Sequence, residues 1–322
     1  MDIIEKIQAG DVRAAARLIT RVEKRDPEAI EIIKAVYTKS GKSRLIGITG
    51  PPGVGKSCLV GALVGEFRAR NLTVGVLAVD PSSPFSGGAL LGDRARMSDH
   101  TSDSEVFIRS LASRGASGGL SAAVNDAADI LNVFGKDIIL IETVGVGQGE
   151  IDIARIAHTV LLVLMPGYGD TLQAMKAGIM EIADLFVVNK ADKPGAEKTA
   201  SELAGAQNLS CPSEVETTWI PPIVKTSATH KTGLDDLVVE IFKHFDFLDT
   251  HDVIQAKNRE RRTKQFLDIL SRQILDEFMA ELDKDPALQR WVKKIGDLEL
   301  DPYSASEQVV GWMKKARGAE KE

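Results

Sequence analysis

The chain has 322 residues, 43% hydrophobic and 27% charged, with a formal net charge of −6. This composition suits a globular protein with a sizeable core, and its charge gives no electrostatic help toward nucleic acid or an anionic membrane, so neither is expected as a partner. The longest apolar run, residues 160–165, is far short of the roughly 20 residues of a membrane-spanning helix. The charged opening stretch does not read as a secretory signal, and two cysteines without a CxxC partner fit a reduced, cytoplasmic setting.

Residues 1–42 are helical in pattern, with Ile4, Ile7, Val12, Ala15, Ala16 and Ile19 returning to one side. From Arg44 the text changes to short apolar runs separated by helix-like stretches: RLIGIT, TVGVLAVD, EVFIRS, DIILIE, TVLLVLM, DLFVVN and IVKTSA. Near-continuous β-branched runs alternating with helices predict an α/β domain over 43–250, its mostly parallel sheet covered on both faces. From His251 the periodicity is helical again, and Phe266, Leu267, Leu270, Ile274, Phe278 and Leu282 recur at helical spacing. Shorter helical pieces follow around Trp291 and Trp312. The expected organisation is a helical region over 1–42, an α/β domain over 43–250 and a helical extension over 251–322.

The stretch GPPGVGKS, residues 50–57, fits the P-loop pattern in its required place, after a strand and before a helix. It comprises Gly50, Pro51, Pro52, Gly53, Val54, Gly55, Lys56 and Ser57, with Cys58 next in the helix. Glycines let the backbone N–H groups turn around a β-phosphate, helped by the helix N-terminus. Lys56 is expected to reach the β- and γ-phosphate oxygens, and the Ser57 hydroxyl to coordinate Mg²⁺.

The tetrad NKAD, with Asn189, Lys190 and Asp192, ends a buried run and so falls at the carboxyl edge of the sheet, where ligands of open α/β folds bind. Guanine offers a 2-amino group beside N1–H, and one carboxylate accepts from both. Adenine presents an acceptor at N1 and would be repelled. Asn189 is placed to bond the base from its other side and to tie this loop to the P-loop. In TSA, residues 226–228, Ser227 and Ala228 supply a backbone N–H toward the guanine O6. The expected nucleotide is GTP, with GDP as product.

Between these motifs lies ILIETVGVGQGE, residues 139–150. Glu142 ends the apolar strand and is expected at Mg²⁺, directly or through water. Gly145 is the glycine that senses the γ-phosphate. Small GTPases carry a water-orienting Gln next, whereas this chain has Val146; Gln148 is the candidate substitute. That departure predicts slow intrinsic hydrolysis. Asp80 ends the second strand and is placed for a Mg²⁺-bound water, and Asp93 follows in a glycine-flanked loop that could close on the nucleotide. Helix or turn capping is the other reading of Asp80, Asp93 and Glu142. On the residues alone, Lys176 reads first as a solvated lysine after a strand-to-helix turn, and second as a lysine that this loop presents to the phosphates or to a partner.

GITGPPGVGKS, VLAVDPSSPFSGGALLGDRARM, ETVGVGQGE, PGYGDTLQAMKAGIMEIAD and NKAD together resemble the MeaB/MMAA GTPases, formerly described as ArgK or transport kinases. The resemblance spans essentially the whole chain. It implies a switch GTPase of the signal-recognition/MinD-like class that gates adenosylcobalamin delivery and quality control for an acyl-CoA mutase in trans. Methylmalonyl-CoA mutase is the leading client, with ethylmalonyl-CoA and isobutyryl-CoA systems open; an adenosyltransferase is a further candidate partner. The resemblance also implies a third switch loop around Lys176, a Mg²⁺ and switch role for Asp80, Asp93 and Glu142, and homodimerisation through the C-terminal helices. A transport kinase and a metallochaperone GTPase are the alternatives. The second would ask for a Cys/His cluster, and His100, His158, His230, His244 and His251 are scattered.

Overall fold

The computed structural model describes residues 3–39, 42–81, 100, 102–113, 121–143, 152–167, 178–210 and 219–319. Helices α1 (Ile3–Gln8), α2 (Val12–Glu23) and α3 (Pro27–Tyr37) come first. The chain then alternates through β1 (Arg44–Thr49), α4 (Lys56–Ala69), β2 (Val74–Pro81), β3 (Val106–Ser113), α5 (Ser121–Val133), β4 (Ile138–Thr143), β5 (Thr159–Leu164), β6 (Leu185–Val188), α6 (Ala196–Ser210), β7 (Ile223–Lys225) and α7 (Leu234–Thr250). Helices α8 (Val253–Leu282), α9 (Pro286–Gly296) and α10 (Pro302–Ala319) complete it. The strands fall on the seven apolar runs of the sequence.

They form one seven-stranded sheet in the order β3-β2-β4-β1-β5-β6-β7, with every pair parallel. Strand β1 sits between β4 and β5, where the winding reverses. The loop after β1 therefore opens at the switch point, the crevice in which such sheets bind ligands.

Alternation along β1 sorts its side chains to two cores. Ile46 and Ile48 join Leu59, Leu63 and Phe67 of α4 and Leu237 and Ile241 of α7. Leu45 joins the apolar sides of α1, α2, α3 and α5 on the opposite face. Each fully buried large aliphatic or aromatic side chain contributes on the order of 2 kcal/mol. The N-terminal helices thus share a core with the sheet. Their starts are set locally: Asp11 Oδ1 accepts from the amides of Arg13 (2.9 Å) and Ala14 (3.0 Å), and Asp26 caps Glu28 ahead of Pro27. Val12 departs from the expected apolar stripe. As the first residue of α2 it is 48% exposed, while Ile4, Ile7, Ala15 and Ile19 are buried.

The chain divides into two compact units, residues 1–265 and 266–322. Within the first, the early turns of α8 present a polar side to α5 and to the residue ahead of β5. Arg261 Nη2 donates to Asp129 Oδ1 at 2.6 Å, both residues buried. Gln265 bonds Asp126 at 3.0 Å, and Lys257 donates to the His158 carbonyl at 2.7 Å. In the second unit Leu288 and Ala305 are buried, and Phe278 meets Trp312 edge to face at 6.5 Å. Phe266, Leu267, Leu270, Leu275 and Met279 of α8 are exposed.

His158 is enclosed at the start of β5. Its Nδ1 accepts from the Leu45 amide at 3.1 Å, so its hydrogen sits on Nε2, 3.1 Å from Asn258 Oδ1. Burial pushes its pKa down to about 4, with the hydrogen bond to Asn258 acting in the opposite direction. A histidine whose folded pKa lies below the unfolded value of about 6.5 gives full stability above pH 6.5 and loses it as the pH falls toward 4. Urea unfolding of the wild type should therefore weaken by on the order of 3 kcal/mol across that window, and His158→Gln should flatten the slope. Arg261→Met should cost about 3–5 kcal/mol by removing the cation opposite a buried carboxylate, whereas Arg261→Met combined with Asp129→Leu should cost less. Equal losses in the single and double variants would refute the pairing.

Candidate functional site

Strand β1 leaves the sheet at Thr49, and the backbone reverses through Gly50 at φ 138°. A Cβ there would lie 2.1 Å from the Val163 carbonyl oxygen of β5. Gly55 holds φ 94° as the N-cap of α4, and a Cβ on it would lie 2.7 Å from Asn189 Nδ2. No side-chain-bearing residue fits either place without displacing a neighbour. The first hydrogen bond of α4 runs from the Leu59 amide to the Gly55 carbonyl at 2.9 Å, and the amides before it make the helix N-terminus a natural anion seat.

Lys56 is buried, and its ammonium donates to the carbonyls of Gly50 (2.7 Å) and Pro51 (3.0 Å). The cation is thus folded over the loop it belongs to. Ser57 Oγ donates to Glu142 Oε1 at 2.7 Å. Both residues are buried, and Glu142 reaches the site because it stands opposite Ile48 in the β1–β4 register. Two hard oxygen ligands, one in the first turn of α4 and one near the end of β4, suit a small divalent cation. Asp80 lies at the carboxyl end of β2, two residues past the pairing of Ala78 with Glu142.

Asn189 ties three segments together. Its Nδ2 donates to the Val54 carbonyl at 2.9 Å. Its Oδ1 accepts from Thr226 Oγ1 at 3.3 Å and from the Ala228 amide at 3.2 Å. Lys190, at φ 56°, donates to the Gly53 carbonyl at 2.6 Å. Ser227 Oγ donates to Asp192 Oδ1 at 2.5 Å. That bond holds the Asp192 carboxyl below the usual carboxylate range.

The structure therefore gathers Gly50 to Ser57, Glu142, Asn189, Lys190, Asp192, Ser227 and Ala228 along one edge of the sheet. Cys58 is exposed at the third position of α4. Asp93, Gly145, Gln148 and Lys176 lie outside the described residues, as does the side chain of Asp80. Thr226 and His230 join the cluster without having been singled out from the sequence. The TSA motif flagged the position of Thr226, but no local signal marks His230.

Among the described residues no helix is long and apolar enough to cross a membrane. A model of the family described as "Methylmalonyl Co-A mutase-associated GTPase MeaB" matches residues 15–283. A protein of Pyrococcus abyssi that carries a GTPase name is 46% identical over 309 residues, 96% of this chain and 95% of that one. The mitochondrial "Methylmalonic aciduria type A homolog" of Caenorhabditis elegans is 31% identical over 311 residues, 91% of this chain and 76% of that one. Among solved structures, one titled as an LAO/AO transport system kinase shares the fold at a TM-score of 0.69 and 23% identity, covering 97% of this chain and 96% of that one. The nucleotide-binding architecture and these likenesses agree, and the chain belongs to the MeaB family of GTPases.

Proposed function

We propose that GTP lies along the carboxyl edge of the sheet, its phosphates in the loop 50–57 and its base against Asn189, Asp192 and the turn at Ser227 and Ala228. The observation that carries this reading is the Asn189 side chain, which joins the Val54 carbonyl of the loop to the end of β7. It links the place expected for the phosphates to the place expected for the base. Asp192 is held ionised, as an acceptor for guanine N1–H and the 2-amino group must be.

In this reading Lys56 exchanges the Gly50 and Pro51 carbonyls for the β- and γ-phosphate oxygens. With its proton given to Glu142, Ser57 Oγ keeps its lone pairs for the cation. Mg²⁺ bound there would neutralise charge on the phosphates. Asp80 and Asp93 are assigned to the same cation and its waters. Gly145 contacts the γ-phosphate, and Gln148 is the candidate for orienting the attacking water. Catalysis is positioning and charge stabilisation, with the positioning of the water left incomplete by Val146 in the place of a glutamine.

We further infer that hydrolysis to GDP and phosphate gates adenosylcobalamin loading and protection of a methylmalonyl-CoA mutase-type enzyme bound in trans. The family's description and the name of the Caenorhabditis elegans relative support this client. Lys176 is assigned to a third switch loop that couples mutase binding to hydrolysis. The exposed Phe266, Leu267, Leu270, Leu275 and Met279 favour a homodimer made through the C-terminal helices. The transport-kinase reading rests on a name alone.

Asp192→Asn should lower kcat/KM for GTP by at least about tenfold and raise it for xanthosine triphosphate, whose C2 oxygen accepts where guanine donates. Unchanged base preference would exclude Asp192 from the base site. Hydrolysis by the wild type should be slow alone and faster with an adenosylcobalamin-dependent acyl-CoA mutase from the same source, and Lys176→Ala should lose most of the increase. If no such mutase stimulates hydrolysis, the client assignment is wrong and the GTPase has another partner.

A further inference from the structure

The loop between β7 and α7 is closed by a two-way backbone pairing of Ser227 with Thr232, at 3.0 and 3.2 Å. Lys231 turns it through φ 53°. The His230 ring is thereby laid beside the base-side carboxylate. Its Nδ1 is 3.0 Å from Ser227 Oγ and 3.7 Å from Asp192 Oδ1. The second distance is too long for a hydrogen bond.

The Ser227 hydroxyl has one proton, and Asp192 Oδ1 takes it at 2.5 Å. Ser227 Oγ can then only accept from His230, and Nδ1, which lies 3.0 Å from Ser227 Oγ against 3.3 Å from Thr229 Oγ1, is assigned the ring hydrogen on the shorter contact. The relay has one direction: His230 Nδ1–H to Ser227 Oγ, and Ser227 O–H to Asp192. Thr229 Oγ1 lies 3.5 Å from Ser227 Oγ and is the nearby alternative for that hydroxyl. By occupying a Ser227 lone pair, His230 holds the proton on the Asp192 side.

We propose that His230 is a positioning residue for guanine selection, acting through Ser227 to fix the orientation of the Asp192 carboxylate. This rests on the reading of Asp192 as the acceptor of guanine N1–H and its 2-amino group. A fixed carboxylate meets both donors at once. A carboxylate free to rock meets both for less of the time, and a base with a single donor suffers less from the loss. His230 thus sharpens discrimination between guanosine and inosine triphosphates, which differ by the 2-amino group. It leaves the phosphate chemistry alone.

The test is steady-state hydrolysis of GTP and inosine triphosphate by the full chain, comparing wild type with His230→Ala, His230→Asn and Asp192→Ala. His230→Ala should raise KM for GTP about fivefold, the scale of one net hydrogen bond, with kcat unchanged. The GTP-to-inosine-triphosphate ratio of kcat/KM should fall with it. The Asn amide places an N–H where the imidazole has one, so His230→Asn should restore both values. Wild-type behaviour of His230→Ala, alongside lost guanine preference in Asp192→Ala, would overturn the relay and leave the base site standing. No effect of Asp192→Ala would overturn the base site and the relay together. Equal impairment of His230→Ala and His230→Asn would assign His230 to loop shape and sink the proposal. Thermal melting of each variant identifies a folding defect, and His230→Asn carries the comparison if His230→Ala melts early.

Discussion

Everything at the carboxyl edge of this sheet depends on how closely the loop after β1 is held to its neighbours. Gly50 has no room for a side chain against the Val163 carbonyl, and Gly55 none against the Asn189 amide. Asn189 then spends its donors and acceptor on Val54, Thr226 and Ala228. A buried amide satisfied in this way is a rigid joint, because breaking any one bond leaves a polar group without water to replace it. The loop, the end of β6 and the end of β7 are consequently one assembly. Lys190 reinforces it with a second bond to the loop carbonyl at Gly53.

The bonds of Lys56 and Ser57, by contrast, are exchangeable. Lys56 rests on two carbonyls and Ser57 on Glu142. A ligand entering here trades hydrogen bonds for hydrogen bonds, since the charged groups it meets already have partners. The binding free energy is correspondingly smaller than the same contacts would give a site with bare charges, which suits a protein that must release its product.

Much of this was legible in the sequence because its signals are local. A buried parallel strand is a continuous apolar run, and all seven runs became strands. The fixed glycines, Lys56 and Ser57 are spaced within a single turn, and Asn189 and Asp192 flank one loop, so their grouping needs no knowledge of the rest of the chain. What escaped depends on distant partners. Arg261 and Gln265 read as an ordinary solvated helix face, yet each meets a buried or half-buried carboxylate of α5 more than 130 residues away. His230 reads as one of five scattered histidines, and only the closure of Ser227 on Thr232 turns it toward Asp192. Val12 satisfies the apolar spacing but is the first residue of its helix, ahead of the turns that pack.

The parallel topology also imposes an order of events on synthesis. The Val54 carbonyl and the Asn189 amide that bonds it are 135 residues apart. At about 5–20 residues per second, the loop exists for on the order of ten seconds before its partner has been made. Strand β1 waits similarly for both flanking strands, since β4 and β5 follow it and nothing earlier in the sheet can pair with it. The nascent chain therefore carries an unfinished glycine-rich turn and an unpaired apolar strand together. The N-terminal helices, made first and sharing a core with the far face of the sheet, are available to shelter Leu45 during that interval.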